Sequence, residues 1–248
     1  EGENGLMRKR PFVAPHHTVT SAALIGGGMI PRPGGVSLAH RGVLFLDEFP
    51  EFNRSTLEAL RQPIEERQVC ISRDSGTYIY PSDFILICAM NPCMCGCYPD
   101  LNKCTCSMHD IHRYLGKISK PLLERIDLCM NVNRLPYKEL ACSMQNESSA
   151  QIRARVRMAR DIQEKRYQGT AFRFNADLNA KELSKYCVLG DKEERLVERI
   201  YEQMELSVRS LHRIIKVSRT IADLEGALRI TERHLSEAVF YKQADFRV

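Results

Sequence analysis

The sequence predicts an α/β fold: an incomplete parallel-sheet core over residues 1–135, then an all-helical part over residues 136–248. Three observations predict it. Val43-Leu44-Phe45-Leu46, after Gly42, is uniformly apolar, as in a strand covered on both faces of a sheet. Phe84-Ile85-Leu86-Ile87-Cys88-Ala89-Met90 has the same character. Beyond Leu135-Pro136-Tyr137 the apolar residues recur at helical spacing almost to the end of the chain.

In chain order, Pro11-Phe12-Val13-Ala14-Pro15-His16-His17-Thr18 is held extended by its prolines. His16 and His17 read as structural or solvated ahead of metal or phosphate contacts, because no partner lies at ligand spacing. Ser21-Ala22-Ala23-Leu24-Ile25 runs into Gly26-Gly27-Gly28, which no regular element tolerates well. Pro31-Arg32-Pro33-Gly34-Gly35 reads as a turn capping a hairpin that leads into Ser37-Leu38-Ala39-His40. Leu57, Leu60 and Ile64 share a helix face over 53–66, with Asn53 or Ser55 as N-cap. Val69, Ile71, Tyr78 and Tyr80 alternate about Asp74-Ser75-Gly76, the pattern of a β-hairpin. That hairpin carries Arg73, and its residues fit either a plain solvated hairpin or a basic one that enters a pore and touches nucleic acid. Asp127 to Val132 reads as a further short strand.

The second part predicts helices over 152–166, 179–188, 191–206, 208–225 and 231–243. Asp191 with Glu194 reads as a capping box, and Gly226 and Thr231 punctuate the last two helices. The stripe Leu211, Ile214, Ile215, Ser218, Ile221, Ala222 and Leu224 is core. Arg153, Arg155, Arg157, Arg160, Lys165 and Arg166 read as a solvated face, with DNA contact the lesser reading.

Composition narrows the class. With 44% hydrophobic and 27% charged residues the chain resembles an ordinary globular protein. The absence of a membrane-spanning apolar run and of a secretory-signal pattern predicts a cytoplasmic location and no membrane partner. A net charge of +5 permits nucleic-acid contact without requiring it. Five of the ten cysteines fall within residues 93–106, and that crowding favours metal binding over a disulfide framework.

The chemistry concentrates where the apolar runs end. Ligands of open α/β sheets bind at the carboxyl ends of strands, and Asp47 and Glu48 stand there, suited to a hydrated Mg²⁺ and an attacking water. Asn91 ends the second strand and can hold that water or a terminal phosphate; an ordinary acidic turn is the competing reading. Cys93-x-Cys95 and Cys104-x-Cys106 flank a turn-rich loop, so four thiolates can surround one Zn²⁺; reduced, unligated thiols fit the pattern as well, and a redox switch fits it less. No G-x-x-x-x-G-K-[ST] phosphate loop occurs, and the polar start at Glu1 predicts an excised piece of a longer protein.

Arg41-Gly42-Val43-Leu44-Phe45-Leu46-Asp47-Glu48, Ala89-Met90-Asn91-Pro92-Cys93 and Pro121-Leu122-Leu123-Glu124-Arg125-Ile126-Asp127-Leu128 closely resemble the magnesium-chelatase-like AAA+ ATPases, the ComM and YifB group. Pro11 to His17 and Ala39-His40-Arg41 are similar to that family too, and the resemblance covers nearly the whole chain. It implies a partial P-loop-type AAA+ core with a Cys-rich insertion, then a helical lid. By resemblance Asp47 and Glu48 are the Walker B acids and Asn91 is the sensor-1 residue. Arg125 is an arginine finger offered to a neighbouring subunit, and Arg209 is a sensor-2 residue reaching the γ-phosphate. A guanidinium suits the finger role as a planar fork for phosphoryl oxygens, and a surface ion pair with Glu124 or Asp127 is its competing reading. Cys93, Cys95, Cys104 and Cys106 match cysteines common in the family, whereas Cys97 is extra, with His109 and His112 as substitutes.

The resemblance further implies an ATPase using ATP and Mg²⁺, a ring homo-oligomer, by resemblance a hexamer, and DNA as the remodelled partner. A motor driving Mg²⁺ insertion into a porphyrin is the first competitor, and a non-catalytic zinc-containing binding module the second. Without a phosphate loop, the piece is itself expected to bind ATP poorly and not to hydrolyse it.

Overall fold

The computed structural model describes residues 9–74, 76–132 and 147–242. They form two compact units, one ending at Arg125 and the other beginning at Ile126. The boundary expected after residue 135 lies outside the described residues.

The first unit is built on three parallel strands, β1 (Phe12–Val13), β4 (Val43–Leu46) and β7 (Ile85–Cys88), in the order β1-β4-β7. Gly42 lets β1 and β4 meet: a Cβ on it would stand 1.9 Å from the Pro11 carbonyl oxygen. Leu44 and Leu46 are buried on one face with Leu24, Val36, Leu57 and Leu60. On the other face Phe12 stacks on half-buried Phe45, and Ile85 and Ile87 are exposed. The expectation of strands covered on both faces is therefore corrected: among the described residues only one face is covered.

Between β1 and β4 a short helix is interrupted. Thr20 caps α1 (Ser21–Ile25), β2 (Gly26–Gly27) pairs antiparallel with β3 (Arg32–Pro33), and α2 (Gly35–Leu38) follows. The glycine run, expected to be irregular, is half of this small hairpin. At Gly26 φ is +115°, and a Cβ there would lie 2.6 Å from the Arg32 carbonyl oxygen, so glycine is what permits the pairing. The hairpin expected to lead into Ser37–His40 is thus closed by residue 33, and the chain beyond it is helical because the Gly34 carbonyl accepts from the N–H groups of Ser37 and Leu38.

The helix expected over 53–66 is two, α3 (Arg54–Ala59), capped by Asn53, and α4 (Arg61–Glu66). Pro63 explains the break: it has no N–H for the Ala59 carbonyl and its ring crowds that carbonyl. The expected hairpin forms as β5 (Gln68–Arg73) paired antiparallel with β6 (Gly76–Pro81), Val69 facing Tyr80 and Ile71 facing Tyr78, with Ser75 outside the described residues. Two helices follow the cysteine loop, α5 (Met108–Leu115) and α6 (Lys120–Leu123), capped by Ser107 and Ser119.

The second unit contains α7 (Ser149–Arg166), α8 (Ala180–Tyr186), α9 (Asp191–Gln203), α10 (Val208–Leu224) and α11 (Glu232–Lys242). No strand forms over 127–132, contrary to expectation. A strand requires a paired ladder, and here the Cys129 N–H bonds instead to the Tyr241 carbonyl at 2.7 Å. The Asp191 capping box is also corrected: Gly190 is the N-cap, without a side-chain bond, and Asp191, Glu193 and Glu194 sit inside the first turn, where they favour the helix dipole.

Tyr167, Leu178, Leu183, Cys187, Ile230 and Leu235 form one apolar cluster of this unit; Ile214, Ile221, Ala238 and Val239 form another. A polar knot joins α7 to α10. Asp223, fully buried, accepts from Arg166 Nη1 at 2.8 Å, Arg219 Nε at 3.1 Å and Asn175 Nδ2 at 2.8 Å.

Candidate active site and cysteine cluster

The neighbouring parallel strands β4 and β7 end on the same edge. Their ladder continues one step further, through Ala89 N–H to the Leu46 carbonyl and Phe49 N–H to the Ala89 carbonyl, both 2.9 Å. Asp47 and Glu48 stand between those bonds and turn out to solvent. Asp47 Oδ1 accepts from the Glu48 N–H at 2.9 Å. Glu48 lies in the left-handed region at φ +52°, which costs a non-glycine residue about 1 kcal/mol. Phe49 and Phe52, both buried, anchor the turn that follows. Asn91 leaves the end of β7 two residues after Ala89 and is exposed beside Gly96. The structure thus places Asp47 and Glu48 directly after β4, and Asn91 three residues beyond the same end of its neighbour β7.

Glu48 has a partner the sequence did not announce. His17 Nδ1 lies 2.9 Å from Glu48 Oε2. His17 reaches it because β1 is parallel to β4, so the loop after β1 rises from the same edge. It also walls an open cavity of about 500 Å³, together with Thr18, Thr20, Ser21, Glu51 and Asn53.

Arg125 follows α6. Its Nη2 pairs with Glu65 Oε2 at 2.6 Å, its Nη1 donates to the Pro121 carbonyl at 2.7 Å, and its side chain is only 9% exposed. The ion pair is with Glu65, and Asp127 pairs with Arg213. Arg209 is exposed in the first turn of α10, in the second unit.

The Sγ atoms of Cys93, Cys95, Cys104 and Cys106 all lie within 4.8 Å of one another. Individual separations are 3.4 Å for Cys93–Cys95, 3.8 Å for Cys93–Cys104 and 3.6 Å for Cys95–Cys104. Four sulfurs about 2.3 Å from a tetrahedral zinc are about 3.8 Å apart, so the donor set fits that ion. Cys97 lies outside the set and donates to the Cys95 carbonyl, and His112 Nδ1 contacts the Met108 carbonyl. The thiols differ in acidity: the Cys97 and Thr105 backbone N–H groups, with Cys93, bring Cys95 down to about 5. Against the pull of the Cys106 N–H, desolvation and the Cys95 and Cys93 side chains push Cys104 up to about 12.

Two family models match the chain, "Magnesium chelatase, subunit ChlI" over residues 1–140 and "Magnesium chelatase, subunit ChlI C-terminal" over residues 146–242. The chain belongs to the magnesium chelatase family. It is 47% identical over 236 residues to the competence protein ComM of Haemophilus influenzae, which covers 95% of this chain and 45% of that protein. It is 44% identical over 239 residues to the uncharacterized protein YifB of Salmonella typhimurium, covering 96% of this chain and 46% of YifB. For YifB of Escherichia coli the identity is 43%, again over 96% of this chain and 46% of the relative. The chain spans a little under half the length of these relatives. As a magnesium chelatase family member it has the expected AAA+ architecture, a partial parallel-sheet α/β core followed by a helical domain. No helix among the described residues is long and apolar enough to cross a membrane.

Within this family chain the adjacent carboxylates, the terminal asparagine and the cysteines were found from the sequence because each ends an apolar run or clusters locally. The pairings of His17 with Glu48 and of Glu65 with Arg125 were missed. Each pairing spans a long stretch of chain, and only strand pairing or helix packing reveals such partners.

Proposed function

We propose that the chain supplies part of an ATP-hydrolysing centre in an AAA+ motor. The observation that carries this reading is the shared edge of β4 and β7, where two adjacent carboxylates follow β4 and an asparagine lies three residues beyond β7. Asp47 would hold Mg²⁺, which when bound neutralises phosphate charge. Glu48 would accept a proton from the attacking water, and Asn91 would orient that water. Arg209 would reach the γ-phosphate. Arg125 would serve the neighbouring subunit of a ring, by family resemblance a hexamer, and for that its guanidinium must exchange Glu65 for phosphoryl oxygens. In the full-length protein Glu48→Gln should lower kcat for ATP hydrolysis by about a hundredfold or more, measured by phosphate release. Unchanged hydrolysis would overturn the reading and leave a non-catalytic binding module.

DNA is the proposed partner, supported by the likeness to a competence protein and by basic surface. Arg153 and Arg157 are exposed on α7 and form no ion pair among the described residues, while Arg155 pairs with Glu147. Arg73 is less available, since its Nε donates to the Gly28 carbonyl at 3.4 Å. A second reading, a motor for Mg²⁺ insertion into a porphyrin, is favoured by the family description alone. Stimulation of hydrolysis by branched DNA supports the first; stimulation only by porphyrin-binding partner subunits supports the second.

We also infer that Cys93, Cys95, Cys104 and Cys106 hold a structural Zn²⁺. The spacing of their sulfurs supports it, and the loop between them has few apolar residues with which to order itself. Elemental analysis of protein purified without added metal should find about one zinc per chain, and none would refute the site.

A further inference from the structure

We propose that His17 is the positioning residue of Glu48. The inference rests on Glu48 being the group that activates water. With its proton on Nδ1, the imidazole donates to Glu48 Oε2 across 2.9 Å. The described residues give Oε1 no bond, so one oxygen is fixed and the other is left to accept from water. The imidazole is itself constrained. Its centroid lies 4.1 Å from that of His16, and Phe52, which is 2% exposed, meets it edge-on at 6.4 Å. His16 is in turn tied to Thr18 through Nδ1 and Oγ1 at 3.0 Å. An exposed glutamate in a left-handed turn has many rotamers available, and a side chain that acts on a water needs one of them selected. Among the described residues, the hydrogen bond to its carboxylate comes from His17.

The test uses the full-length protein with His17→Ala, His17→Phe, His17→Asn and Glu48→Gln. Phenylalanine keeps a ring against His16 and Phe52 but has no donor, whereas the asparagine amide nitrogen occupies nearly the place of Nδ1. His17→Ala and His17→Phe should lower kcat about tenfold with the KM for ATP within about twofold, and His17→Asn should recover most of the loss. A His17→Phe protein as fast as wild type, or a His17→Asn protein as slow as His17→Ala, would overturn the proposal and leave His17 a packing residue. If Glu48→Gln itself left hydrolysis intact, the reading of Glu48 would fall, and the proposal with it. An activity-independent measurement separates the cases: nitrogen-15 shifts should show His17 protonated on Nδ1, with Glu48→Gln redistributing the tautomers. Shifts unmoved by that substitution would refute the contact.

Discussion

At the scale of single residues, what matters most is which charges have partners. Asp223 shows it for stability. It is fully buried and gathers Arg166, Arg219 and Asn175, while Arg219 also donates to the Ala227 and Leu228 carbonyls. Removing the carboxylate leaves two guanidinium groups without their counter-ion in a dry interior. Asp223→Ala should therefore destabilise the helical unit by about 3 kcal/mol or more, read from urea midpoints followed by circular dichroism. None of these partners was legible in the sequence, since Arg166 and Asp223 are far apart in the chain and Arg166 reads as one more cation in a basic run. Asp47, Glu48 and Asn91 were legible because each ends an apolar run, a local signal.

At the scale of elements, long and regular patterns were legible and short ones were not. The helices from α7 to α11 lie close to the positions that periodicity predicts, and β4 and β7 lie within the apolar runs. Two-residue strands such as β1 and β2 have no period to detect, and their existence depends on a neighbouring strand. The expected strand over 127–132 failed for the same reason in reverse, an apolar pattern without a ladder beside it. The connection between α10 and α11 carries a pH-dependent contact. Glu225 accepts from His234 Nε2 at 3.1 Å and also pairs with Arg233, and chiefly the His234 bond holds its carboxyl below the usual 4.5. A carboxyl held lower in the folded chain than in the unfolded one stabilises the fold above about 4.5, and that contribution is lost as the pH falls further. Glu225→Gln should thus lower the urea midpoint at pH 7, and the difference from wild type should shrink by pH 3.

At the scale of the whole molecule, the two units each enclose apolar cores of their own. Leu24, Val36, Leu44, Leu46, Leu57 and Leu60 are buried in the first, and the second has its two helical clusters. Residues 126–245 expressed alone should therefore fold, with a helical spectrum and a cooperative urea transition. A non-cooperative loss of signal would show that the second unit depends on the first. The sequence shows the change from sheet to helix, with Leu135-Pro136 as its strongest punctuation, which lies outside the described residues; the compact units divide after Arg125. Twin cores also bear on how heat acts on this chain. Calorimetry would trace two endotherms instead of one, and no lone melting point would describe the molecule.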